Sequence, residues 1–161
     1  MAGSPFATIL GYVGNTQPSQ IVVDSTGSFV YTGLKATGQI AGFSIDASTG
    51  ALTLMPDSPF PAGNDPIALV TAGNFLYVSN ALDGTISGYR INPTTGALTQ
   101  LSGSPFAIPG GALATDPSGS YLYTTGFGGL QAFSLNPQTG ALTAIGSPIA
   151  YDGATVLTFV Q

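Results

Sequence analysis

Short apolar runs alternate along the chain with clusters of Gly, Asn, Asp, Ser and Pro, and the alternation is clearest in its middle third. Pro66–Ala72 is almost continuously apolar, as expected of a strand covered on both faces. After Ala72-Gly73-Asn74 comes Phe75–Asn80, then the hairpin signal Asp83-Gly84 and a third apolar run, Thr85–Ile91. Asn92-Pro93-Thr94-Thr95-Gly96 reads as a turn, with an Asn able to cap its own backbone and a Gly able to take positive φ. Ala97–Leu101 is the fourth run, and Ser104-Pro105 should stop it, because Pro has no N–H to give a ladder. No segment sustains a 3.6-residue period, so the pattern predicts four strands and no helix.

The pattern recurs. Phe29-Val30-Tyr31, Phe75-Leu76-Tyr77 and Tyr121-Leu122-Tyr123 are spaced by 46 residues, and Thr-Gly-Ala-Leu-Thr begins at Thr49, Thr95 and Thr139. Ser-Pro-Phe stands at 4–6, 58–60 and 104–106, with Ser147-Pro148-Ile149 as a degenerate fourth copy. Four strands in each of three repeats (16–60, 61–106 and 107–149) predict an all-β chain of three antiparallel four-stranded β-propeller blades. Two further apolar segments, within 7–15 and 150–161, are expected to pair as strands of a partial blade. The Tyr series and the Phe43, Tyr89, Phe133 series are expected in the core between blades.

Leu76-Tyr77-Val78-Ser79-Asn80, the segment Ile91–Thr99 and the Gly-Ser-Pro-Phe motif resemble the YVTN-type, lactonase-like seven-bladed propellers. The resemblance implies a ring of seven blades on a chain about twice this length. It also implies an activity carried by polar and ionisable side chains, His and Arg among them, around a central channel.

Composition narrows the chemistry. Only 6% of the 161 residues are charged, the seven acids are all Asp, the bases are Lys35 and Arg90, and His, Glu and Cys are absent. A net charge of −5 with two bases argues against nucleic acid and anionic membranes as partners. No apolar stretch is long enough to span a bilayer, no signal peptide is visible at Met1, and disulfides are excluded. Acid–base work would fall to Asp, Tyr or Lys35.

Asp24 and Asp116, seven residues before Tyr31 and Tyr123, are candidate channel-mouth carboxylates for a cation or a sugar; turn capping is their other reading, and Val70 holds the place in the second repeat. Arg90 stands where the other repeats have Ser44 and Ser134 and is a candidate for an anion or an interface. Lys35 reads as solvated, and Asp46, Asn92 and Asn136 as equivalent turn caps. Asp57, Asp65, Asp83 and Asp152 lack calcium-loop spacing, and Gly110-Gly111 and Gly126-Phe127-Gly128-Gly129 lack the helix of a phosphate cradle.

These residues lead to the expectation of a non-enzymatic, self-assembling propeller scaffold or binding module with no catalytic residues, cofactor or metal. The expected partner is a second copy, in a homodimer that completes six or seven blades and buries end faces carrying Ile21, Val23, Phe29 and Tyr31 on one side and Leu122, Leu135 and Leu142 on the other. The alternatives are a lactonase-like hydrolase with a site completed by a second chain, a lectin-like carbohydrate binder, a strand-exchanged filament and a four-bladed monomer. The Ser, Thr and Asn-rich, charge-poor composition suggests an extracellular or cell-surface setting.

Overall fold

The computed structural model describes residues 17–126 and 128–150. Among them every regular element is a strand, in three antiparallel sheets. The first blade runs β1 (Pro18–Val23), β2 (Phe29–Leu34), β3 (Gln39–Ile45) and β4 (Leu52–Leu54), with β5 (Phe60–Pro61) returning to pair with β3. The second is β6 (Pro66–Ala72), β7 (Phe75–Asn80), β8 (Thr85–Ile91) and β9 (Leu98–Gln100); the third is β10 (Leu113–Thr115), β11 (Tyr121–Gly126), β12 (Gly129–Leu135) and β13 (Leu142–Ile149). The expected terminal strands at 7–15 and 150–161 lie outside the described residues, apart from Ala150.

In the second blade three strands match the sequence expectation end to end. The fourth is shorter than Ala97–Leu101, because the Asn92 N–H donates to the Ala97 carbonyl at 2.9 Å and ties Ala97 into the turn. Ser-Pro-Phe does more than stop a strand. The Gly88 N–H donates to Ser104 Oγ at 2.9 Å, and the Gly42 N–H to Ser58 Oγ at 3.0 Å. The hydroxyl thus takes a ladder bond, and Phe106 then exchanges two backbone hydrogen bonds with Ile86, at 2.8 and 3.0 Å.

Each blade packs one face on the next. Leu69, Leu76, Val78, Tyr89 and Ile91 of blade two meet Phe29, Tyr31, Ile40, Met55 and Phe60 of blade one. The other face of blade two, with Val70, Phe75, Tyr77 and Ile86, meets Leu113, Leu122, Phe133 and Leu135 of blade three. The same joint closes both seams. The Tyr31 hydroxyl donates to the Gly96 carbonyl at 2.6 Å, and the Tyr77 hydroxyl to the Gly140 carbonyl at 2.7 Å.

The expected end faces are therefore corrected. Phe29 and Tyr31 lie in the first seam, and Leu122, Leu135 and Leu142 in the second. Alternation along a strand says which residues share a face but not which face meets the following blade. Ile21 and Val23 do stand open on the far face of blade one, 62% and 50% exposed, while Val30, Leu34, Ala41 and Phe43 on that face are buried. Tyr123, expected to be buried like its two equivalents, is half-buried on the outward face of blade three, beside exposed Tyr121 and Ile145.

Candidate functional site

The first strands of the blades, β1, β6 and β10, stand side by side. Their neighbours are linked by a repeated contact: Thr71 Oγ1 donates to the Val23 carbonyl at 3.2 Å, and Thr115 Oγ1 to the Thr71 carbonyl at 3.1 Å. Along these strands and their following turns opens a concavity of about 580 Å3, lined by Gln20, Val22, Thr71, Leu113, Thr115 and Asp116 among others. Its chemistry is that of neutral oxygens and amides over an apolar floor. Each Thr hydroxyl spends its proton on a carbonyl and keeps lone pairs to accept from a ligand hydroxyl. Gln20 accepts the Leu69 N–H on Oε1 at 3.3 Å, which leaves its NH2 group to donate.

Asp24 and Asp116 sit at equivalent turns beside this mouth, and Asp116 lines it. Asp24 is buried and accepts the N–H groups of Thr26, Ser28 and Phe29 at 2.8–3.0 Å, and the Thr26 hydroxyl at 2.5 Å. Asp116 accepts the N–H groups of Ser118, Ser120 and Tyr121 at 2.8–3.1 Å, together with the Ser118 hydroxyl. Burial pushes both carboxyls up, and these donors outweigh it and hold both below the ordinary Asp value. Both are ionised turn caps. The structural equivalent in blade two is Ala72, not Val70, because the turn there has two residues, Gly73 and Asn74, and needs no carboxylate to bridge it.

Arg90 is not at the mouth. Its guanidinium lies 4.8 Å from the centre of the Phe75 ring and donates to the Gln138 carbonyl at 2.5 Å, bridging the seam between blades two and three. Lys35 is half-buried in the turn after β2, at the opposite ends of the strands from Asp24. At that opposite end, Asp83 accepts the Asn64 N–H and side-chain amide at 2.7 and 2.8 Å, and buried Asn80 holds the Gly63 N–H and the hydroxyls of Thr85 and Ser87. Asp46 caps its turn through Ser48 and Thr49, which lower it to about 2, and Asn92 and Asn136 cap theirs the same way. Among the described residues no three acids gather as a metal site.

The mouth thus brings together the candidate carboxylate Asp116 with three polar residues that no repeated motif marks: Gln20, Thr71 and Thr115. Their signal was weak, since Gln20 belongs to none of the repeated motifs and the two Thr align only once the shorter turn in blade two is recognised.

A family model described as lactonase, 7-bladed beta-propeller matches residues 5–112 and 66–159, which together span nearly the whole sequence. The chain belongs to this lactonase family. The fold has solved counterparts in a candidate 6-phosphogluconolactonase from Bacteroides fragilis (TM-score 0.77, 24% identity, 91% of this chain and 43% of that one) and in a functionally unknown protein from Desulfotomaculum acetoxidans (0.69, 21%, 81% and 41%). A periplasmic gluconolactonase from Pseudomonas aeruginosa is a third (0.65, 22%, 83% and 40%). The chain spans about two fifths of the length of these proteins. No match is found among curated protein sequences.

Membership of a lactonase family overturns the expectation of a non-enzymatic scaffold and the reading of the chain as no enzyme. That expectation leaned on the lack of His, Glu and Cys. Lactone opening does not demand them, because a carboxylate such as that of Asp is among the side chains that serve as general base.

Proposed function

We propose that this chain forms part of the channel of a hydrolase that opens lactones. The observation that carries the reading is the family match across all three blades, over a mouth of neutral hydrogen-bonding groups and one ionised carboxylate. Water attacks the lactone carbonyl carbon and gives a proton to solvent water while the carbonyl oxygen takes the charge; on collapse the ring C–O bond breaks, the ring oxygen takes a proton from solvent to become a hydroxyl, and the new carboxylic acid ionises to a carboxylate. The Gln20 NH2 group is the donor offered to the developing oxyanion. Asp116, whose acceptor positions are taken by the four turn donors, contributes negative charge beside the mouth, and the hydroxyls of Thr71 and Thr115 accept from ring hydroxyls. Replacing Gln20 with Glu keeps the acceptor that holds Leu69 and removes the donor. It should lower kcat for a sugar lactone by roughly 100-fold with an unchanged melting temperature. Unchanged kcat would refute the assignment of Gln20.

We propose also that the blades present here are closed into a ring by a second copy. The exposed apolar residues Tyr121, Ile145 and Ile149 on blade three, and Ile21 and Val23 on blade one, support this. Tyr121 is 42% exposed where its equivalents Phe29 and Phe75 are 6% and 5% exposed inside a seam. Ile21 is likewise open where Leu69 and Leu113 are 0% and 3% exposed.

A further inference from the structure

The charge of the mouth bears on which lactones it takes, an inference that rests on the hydrolase reading above. The whole chain has two cations, and neither lines the concavity. Arg90 is engaged by the Gln138 carbonyl and the Phe75 ring in the outer seam, and Lys35 lies at the other end of the blades. The groups that line the mouth are Asp116 and the neutral Gln20, Ser25, Thr71, Thr115 and Ser118, while Asp24, at the equivalent turn of blade one, is buried under its own donors. A phosphate needs charge-assisted donors, with Arg or Lys the usual source, and here it would approach the carboxylate of Asp116 instead. The mouth does suit a ligand whose polar atoms are hydroxyls, since Thr71 and Thr115 present acceptor lone pairs and Gln20, on the first strand of blade one, a donor.

We propose that this mouth selects uncharged, polyhydroxylated lactones and disfavours phosphorylated ones. The carboxylates act at long range, through the field they set up in a concave, partly apolar site, and so the discrimination is a property of association and is screened by salt.

The test compares glucono-lactone with its 6-phospho counterpart on the full chain, from about 10 mM to about 0.5 M NaCl. The expected result is a kcat/KM at least ~10-fold higher for the uncharged lactone at low salt, with the gap narrowing as salt rises. Asp116→Asn, which retains an oxygen to cap the turn, should narrow the low-salt gap; the effect is read as the ratio between the two substrates, so a general loss of rate does not mimic it. An equal or higher kcat/KM for the phosphorylated lactone would overturn the proposal. If neither lactone is hydrolysed, the hydrolase reading fails and selectivity is read by calorimetric titration with glucose and glucose 6-phosphate. Tighter binding of glucose 6-phosphate, or no binding of either, then refutes the inference as well.

Discussion

At the scale of single residues, the repeated motifs prove to be steric and hydrogen-bonding parts of one joint. A Cβ on Gly96 would fall 2.5 Å from Met55 Cε and from the Phe29 ring, and one on Gly140 2.6 Å from Leu101 and 2.8 Å from Phe75. The equivalent Gly50 shares their positive φ, 72°, but has nothing within 4 Å. Gly50→Ala should therefore cost only the backbone term, about 1 kcal/mol. Gly96→Ala adds the clash and should cost about 3 kcal/mol in chemical denaturation. Equal losses would contradict the joint. A second pairing ties two motifs together: Phe106 covers Gly88 and Phe60 covers Gly42, with would-be Cβ distances of 2.9 and 3.0 Å. The third repeat has Ile149 and Ala132 at those places, a smaller cover over a larger floor. Asp24 gives a pH prediction. Its folded-state pKa is depressed, so its contribution to stability is present at neutral pH and is lost as pH falls below about 4. Asp24→Asn should flatten the dependence of the unfolding free energy on pH between about 5 and 2. An unaltered slope would mean the cap is not formed.

At the scale of elements, the four-strand blade was legible because three cues agreed for each strand: an apolar run, a turn chemistry and a position in the repeat. Phe75–Asn80, between a Gly-Asn turn and an Asp-Gly turn, is bounded correctly on both sides. Less legible was anything that depends on three dimensions. The sequence shows that Phe29 and Tyr31 share a face; the propeller's handedness decides that the face meets Gly96 and Leu76. Nor does a 46-residue period show that blade two has lost two residues from one turn, which is what misplaced Val70 opposite Asp24. The polar mouth was hidden for a related reason, since Gln20, Thr71 and Thr115 gain their meaning from lining one concavity across blades. The seam hydrogen bonds carry their own prediction. Tyr77→Phe leaves the buried Gly140 carbonyl without its donor and should cost about 1–2 kcal/mol. Tyr121→Phe, at an exposed position outside both seams, should be neutral within about 0.5 kcal/mol. A reversed order would contradict the seam assignment.

At the scale of the whole molecule, the three described blades are joined by two seams built on the same Tyr–Gly joint and leave apolar residues open beyond them. Burial of even a few hundred Å2 of such surface is worth on the order of 10 kcal/mol before the cost of association, which favours closure. For the 16.1 kDa chain, light scattering should give twice that mass, falling to the monomer value on Tyr121→Asp with Ile145→Asp. A monomer at micromolar concentration would refute closure by a second copy. The claim that matters most is chemical, and it is tested by following the opening of glucono-lactone by the purified chain against buffer at the same pH. Saturable hydrolysis above the spontaneous rate is expected, reduced by roughly 100-fold in kcat on Gln20→Glu. A rate identical to that of buffer at every protein concentration would contradict it.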